Sequence, residues 1–342
     1  MKAAILVEQH KPLVVDEVNL PSELKYGQVL VKIHYTTICG SQLGEIDGVK
    51  GVDKYLPHLL GHEGSGVVEK CGEGVKVVKT GDHVVLHWRE GKGIQSATPN
   101  YTWKDKNVNA GLITTFNEYA IVSENRLTPI DKIIDLKIAS LYGCAITTGF
   151  GVIHNNAHLQ SGESLLILGA GGVGAAIILA GSCSSAHPII AVDINDFKLE
   201  KAITFGATHT VNSRRMDAAQ KIREILPEGA DVVVETTGLK LIRELAYELT
   251  NKEGRTILVG VPKGGEKMNI DTLPLHFTKK ISGSHGGEAN PSYDIPRLIR
   301  LQNSGVFTLN EMITHQFSLD EINEAIHAVR TKDVIRCVLK IC

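Results

Sequence analysis

Leu165-Leu-Ile-Leu168 runs directly into Gly169-Ala-Gly171-Gly-Val-Gly174, and this junction decides the fold. Four apolar residues, a glycine-rich turn and a run of small apolar residues read as a buried strand, a tight turn and a helix. The first glycine permits the turn, the second lets backbone approach a pyrophosphate, and the third lets helix pack against strand. A second apolar strand, Ile189-Ile-Ala-Val-Asp193, follows and ends in an acid. A carboxylate there accepts hydrogen bonds from an adenosine ribose and repels a 2'-phosphate, which favours NAD over NADP. Lys198, five residues on, is placed to reach the same ribose.

Outward from this unit the chain divides. Downstream, apolar segments (Asp231 to Glu235, Thr256 to Gly260, Lys280 to Gly283) alternate with helical stretches near Phe197 to Phe205, Met216 to Ile225 and Leu239 to Leu249. That alternation predicts an α/β unit with a doubly wound parallel sheet covered on both faces. Upstream, short apolar runs at Ala3 to Val7, Gln28 to His34, Gly66 to Lys70, His83 to His87 and Glu118 to Val122 predict a β-rich region. Arg89 to Asn109 shows no clear period and reads as a long surface loop or lobe. After about Gly286, two helices (Tyr293 to Ser304, Leu319 to Arg330) precede a last strand, Val334 to Ile341.

At 342 residues the chain suits two domains of ordinary size. Lys and Arg total 36 against 38 Asp and Glu, a net charge of -2, which argues against broad nucleic-acid binding. Ser164 to Val192 carries no Asp, Glu, Lys or Arg and is long enough to span a bilayer. Its glycines and serines and the pair His187-Pro188 read better as a buried strand-helix-strand unit. The first apolar run is too short for a secretory signal. A soluble, cytoplasmic protein without membrane partners is expected. Six cysteines in this length do not make a disulfide scaffold.

Three short pieces place metal-type ligands beside apolar strands: Ile38-Cys39-Gly40-Ser41, Leu60-Gly61-His62-Glu63-Gly64 and Tyr142-Gly143-Cys144-Ala145. No CxxC or HxxxH spacing joins them. Taken singly, each cysteine reads equally as core packing and the histidine as a structural turn residue.

The order of motifs along the whole chain resembles the medium-chain, zinc-dependent alcohol dehydrogenase family. Gly61-His62-Glu63, Gly81-Asp82-His83-Val84, Gly143-Cys144 through Thr147-Thr148-Gly149, the fingerprint glycines, Ala191 to Asn195, Phe317 to Asn323 and Ile335-Arg336 carry the resemblance. It implies a Rossmann doubly wound parallel sheet domain (146–284) plus a β-rich GroES-like catalytic domain (1–145 and 285–342). It further implies Cys39, His62 and Cys144 as ligands of one catalytic zinc, with a fourth position for water or substrate. Glu63 is similar to the family's carboxylate beside the metal, and Ser41 to the hydroxyl that passes on the alcohol's proton. Thr148 and Val173 match residues lining the nicotinamide, and Arg336 a pyrophosphate contact. Gly169, Gly171, Gly172, Gly174, Asp193 and Lys198 complete the NAD site. Trp88 falls where the family places a wall against the substrate.

The implied reaction is reversible hydride transfer between a small-molecule primary or secondary alcohol and NAD, zinc acting as the Lewis acid. His87, Arg89 and Lys92 beside Trp88 suggest either a polar, sugar-like substrate or a solvated loop face. Lys280 to Gly283 corresponds to the edge on which family members pair, implying a homodimer or homotetramer. Two other readings share the fold: a zinc-free reductase of the quinone oxidoreductase type, and a non-catalytic nucleotide-binding protein.

Three positions depart from the family pattern. Gln42 stands where an acid usually orients the histidine ligand; an amide is expected to accept a hydrogen bond from the imidazole but brings no charge. Gly44 replaces the histidine that often ends the proton relay. The lobe that in many members binds a second, structural zinc has no cysteine between Arg89 and Asn109, so that zinc is not expected.

Overall fold

A computed structural model describes residues 1–331 and 333–342. Six strands, numbered along this sheet, are β1 (Leu165–Leu168), β2 (Ile189–Asp193), β3 (His209–Asn212), β4 (Ala230–Glu235), β5 (Thr250–Leu258) and β6 (Lys280–Gly283). All pairings are parallel, in the order β3-β2-β1-β4-β5-β6. This is the doubly wound order, with the strand sequence reversing beside β1, where ligands bind at the carboxyl ends. Every β1 side chain is buried, which is why it reads as an unbroken apolar run. Each such side chain contributes about 1.5–3 kcal/mol by leaving water.

The helix Gly172–Cys183 fills the charge-free segment between β1 and β2, buried continuously from Gly174 to Gly181. It packs so closely on the helix Ala145–Gly151 that a Cβ at Gly149 would run into Ala176. Burial in protein therefore explains the missing charges. No single helix among the described residues is long and apolar enough to cross a membrane. Side chains cap the following helices: Asn195 accepts from the Lys198 N–H, and Asp217 from the Gln220 N–H.

A second sheet runs Leu127–Ile130, His83–His87, Glu63–Cys71, Gln28–Ile38, Arg336–Lys340, Ile313–Ser318, with Tyr119–Ser123 also paired to Gln28–Ile38. Its strand Arg336–Lys340 lies antiparallel to the end of Gln28–Ile38, with Cys337 opposite Ile38. Residues from the far end of the chain thus complete the β-rich part. A small sheet of Val14–Glu17, Lys2–Leu6 and His58–Leu59 covers one side.

The lobe differs from the expected loop. Tyr101–Trp103 and Lys106–Val108 form a hairpin, and Lys104 and Asp105 both take positive φ, 48° and 62°, at its tip. A two-residue turn of this hand normally announces itself with Asn-Gly or Asp-Gly, and here it does not. Tyr101 is buried and its hydroxyl accepts from the Ile121 N–H; the Trp103 indole donates to Asp16. The buried Glu124 carboxylate closes the base of the lobe, accepting from the N–H groups of Lys76, Val77 and Ile94. Arg126 donates to the Trp88 carbonyl and to Gln95. Polar side chains therefore hold the lobe without cysteines.

Candidate metal and cofactor site

Cys39 ends the long strand Gln28–Ile38 in extended geometry and begins the helix Gly40–Ile46. His62 follows Gly61, whose φ of +91° and contact with Thr115 leave no room for a side chain. Glu63 opens the strand Glu63–Cys71, and Cys144 precedes the helix Ala145–Gly151. These four pieces, up to 105 residues apart in sequence, bring their ligand atoms within 4.8 Å of one another.

The electrostatics are those of a site that binds a cation. The contact with Cys144 pulls the Cys39 thiol well below its ordinary value. The same contact, with burial, pushes Cys144 well above. His62 Nε2 is buried without a hydrogen-bond partner. Two sulfurs, an orphaned imidazole nitrogen and a carboxylate are a donor set that suits zinc.

Behind this cluster, Arg336 donates to Glu63 and to Thr37 from a wholly buried position. Burial alone would lower the guanidinium's pKa, but Glu63 and the two thiols outweigh it and raise it. Arg336 also lies against Gly172, where a Cβ would collide with its Cδ. One side chain therefore touches both the metal-type cluster and the start of the fingerprint helix. Thr37 is a partner that sequence reading misses; among the alternating residues of a strand, nothing marks it out.

Ser41 Oγ stands 3.4 Å from His62 Nδ1, and Thr148 Oγ1 3.9 Å from Cys144 Sγ. Gly169 has φ +100°, and a Cβ at Gly174 would strike the Gly169 carbonyl oxygen. At Gly171 no atom of the described residues lies within 4 Å of a Cβ's place, so their packing does not require that glycine. An open surface at a helix N-terminus suits the approach of phosphate oxygens. Val173 is half-buried beside it. Asp193 accepts from the N–H groups of Ala170 (2.8 Å) and Asn195 (3.0 Å), which hold its carboxylate at the end of β2. Lys198 lies in the first turn of the helix Asp196–Thr204.

Two expectations need correction. Gln42 does not simply accept from the imidazole: its Oε1 takes the Cys39 N–H and its Nε2 faces His62 Nδ1. Of the three polar residues beside Trp88, His87 is buried inside the chain and so is removed from either alternative, whereas Lys92 is exposed and Arg89 half-buried. His87 is buried between the Arg89 carbonyl and Thr128. Arg89 donates to His285 and Ala289, and the Lys92 ammonium sits 4.3 Å from the Tyr293 ring centroid. Trp88 meets His285 edge-on, ring centroids 4.8 Å apart, and lies against Gly286.

The chain matches two families of known proteins: "Alcohol dehydrogenase GroES-like domain" over residues 25–132 and "Zinc-binding dehydrogenase" over residues 172–304. It is 31% identical to Alcohol dehydrogenase 6 of Peromyscus maniculatus, covering 99% of this chain and 97% of that one. It is equally 31% identical to S-(hydroxymethyl)glutathione dehydrogenase of Saccharomyces cerevisiae, covering 99% and 95%. The crystal structure of benzyl alcohol dehydrogenase from Acinetobacter calcoaceticus superposes with a TM-score of 0.90 at 30% identity, covering 100% of this chain and 99% of that one. With the cysteine-histidine cluster and the dinucleotide fold in one chain, these likenesses give its identity: it belongs to the medium-chain zinc-dependent alcohol dehydrogenases, enzymes that use zinc and NAD.

Proposed function

We propose that the chain interconverts a primary or secondary alcohol and its carbonyl compound at the Cys39, His62, Cys144 cluster. The observation that carries this reading is the convergence of those ligand atoms and Glu63 within 4.8 Å, with Ser41 and Thr148 beside them. A zinc-free reductase or a nucleotide-binding protein has no use for that set.

In this reading zinc, when bound, supplies Lewis acidity that makes an alcohol hydroxyl acidic near neutral pH, and NAD accepts the hydride. Cys39, His62 and Cys144 hold the metal. Glu63, neutralised by Arg336, lies beside them as a carboxylate that can approach during ligand exchange. Ser41 Oγ takes the alcohol's proton and passes it outward. Gly44 offers no side chain to continue the relay, so Ser41 is the last side chain of this chain assigned to carry the proton. Thr148 and Val173 would position the nicotinamide, Gly169 to Gly174 would receive the pyrophosphate with the Arg336 charge directly beneath Gly172, and Asp193 and Lys198 would meet the ribose. Trp88 would wall the substrate space, and a polar, sugar-like alcohol stays within the proposed substrate range because Arg89 and Lys92 keep solvent access beside it.

The division into 1–145 with 285–342 and 146–284 belongs to the same reading, supported by the pairing of Arg336–Lys340 with the N-terminal sheet. Two copies are proposed to pair along β6, an edge strand with Phe277 (75% exposed) and Leu273 (62%) close by in sequence; sedimentation decides between monomer, dimer and tetramer.

The test is NAD reduction over a panel of aliphatic, benzylic, polyol and sugar alcohols with S-(hydroxymethyl)glutathione, with zinc measured on the same sample. Turnover that disappears on zinc removal and returns on reloading is expected. Inactivity of zinc-replete protein across the panel overturns the reading.

A further inference from the structure

Gln42 is 1% exposed, and its amide lies between two fixed groups. The Cys39 N–H donates to Oε1 at 2.7 Å, while Nε2 stands 2.5 Å from His62 Nδ1. A peptide N–H can only donate, so the amide oxygen belongs to Cys39 and the NH2 group is left for the imidazole. Nδ1 then accepts, and a neutral ring carries its proton on Nε2. That is the atom without a hydrogen-bond partner among the described residues, and with Nδ1 against Gln42 it is the nitrogen left free to face a metal.

A metal bound through Nε2 needs that lone pair. The ring proton must then move to Nδ1, where it meets the amide NH2 of Gln42. Turning the amide over gives Nδ1–H an oxygen but sets the NH2 against the Cys39 N–H. Whichever way round it sits, an amide has one acceptor end for two donors, and the other oxygen near Nδ1, Ser41 Oγ at 3.4 Å, is too far for a good hydrogen bond. A carboxylate has two acceptor oxygens and would satisfy both.

We propose that Gln42 is a positioning residue that holds His62 in the tautomer unable to bind metal, and so sets a weaker zinc centre than a carboxylate at this position would give. The proposal rests on reading Cys39, His62 and Cys144 as the zinc ligands. Its test is Gln42→Glu, which keeps side-chain length and the bond from Cys39, with Gln42→Met as a control that removes the NH2 group without adding an acceptor. Zinc affinity, measured by chelator competition, is expected to rise about 10- to 100-fold in Gln42→Glu and by less in Gln42→Met, which releases the tautomer but gives Nδ1–H no acceptor. In the unsubstituted protein, nitrogen-15 spectra of His62 are expected to show the proton on Nε2 without zinc, a readout that does not depend on any variant folding. Equal or weaker zinc affinity in Gln42→Glu, or a proton on Nδ1 in the zinc-free protein, overturns the role of Gln42. If the unsubstituted protein and Gln42→Glu both bind no zinc, the ligand assignment falls, and the proposal with it.

Discussion

Arg336 and Glu63, 273 residues apart, form an ion pair with both side chains shut away from solvent directly behind the cysteine-histidine cluster. Removing one member of a buried pair strands the other charge. Arg336→Met is expected to lower unfolding stability by about 3–5 kcal/mol, read from urea melts. The double variant Arg336→Met with Glu63→Gln should recover much of that loss. Equal losses in the single and double variants would show that packing, and not the charge, matters.

The two glycines flanking the start of the fingerprint helix should separate binding from folding. Gly174→Ala forces a methyl into the Gly169 carbonyl and is expected to lower the melting temperature as well as NAD affinity. Gly171→Ala meets no atom among the described residues, so it should melt like the parent while its Kd for NAD rises roughly tenfold or more, about 1.4 kcal/mol. Unchanged NAD affinity in Gly171→Ala would remove the pyrophosphate from that surface.

Cofactor choice is expected to depend on Asp193. Asp193→Ser removes the carboxylate at the end of β2, weakening NAD and admitting the 2'-phosphate of NADP. The ratio of kcat/KM for NAD over NADP should fall about tenfold or more; a constant ratio would sink the assignment.

His87 gives a pH signature. Its Nδ1–H donates to the Arg89 carbonyl and Nε2 accepts from the Thr128 hydroxyl, so the ring is neutral, and burial lowers its pKa from 6.5 to about 4. Above pH 6.5 neither state binds the proton. Below it the unfolded chain does and the native protein does not until about pH 4, so stability falls on acidification through that window at about 1.4 kcal/mol per unit, roughly 3 kcal/mol in all. In His87→Gln, the difference in unfolding free energy between pH 7.5 and pH 4.5 should shrink accordingly; an unaltered difference would assign it to other groups.

Glu124 is expected to do for the lobe what a structural metal does elsewhere. Glu124→Ala leaves three backbone N–H groups without their acceptor, at about 1–3 kcal/mol each, and should expose residues 89–100 to limited proteolysis. Metal analysis should still give about one zinc per chain in both proteins. Two zincs per chain would contradict a lobe held by side chains.

The fold was legible because burial writes itself into composition. β1 is apolar throughout since both its faces are covered, and the charge-free stretch to Val192 is a strand, a helix buried from Gly174 to Gly181, and a second buried strand. The cluster was not legible from spacing: Cys39 and Cys144 meet only because two distant turns converge, and only the order of motifs along the whole chain pointed to them. The hairpin at Tyr101 leaves no mark in the sequence because its tip uses Lys104 and Asp105 where glycine would signal positive φ. Gln42 was visible as a departure, but the competition for its one oxygen depends on Cys39 and His62 standing on opposite sides of it.

The strand Arg336–Lys340 also fixes when the site can exist. Glu63 is made early in synthesis and waits, without its guanidinium, until the last residues of the second sheet emerge and pair with Tyr35 to Ile38. A chain stopped short of Arg336 therefore carries every metal-type ligand and still lacks the charge that makes their burial tolerable. A copy that ends before Arg336 is expected to lack the buried ion pair on which the site is built.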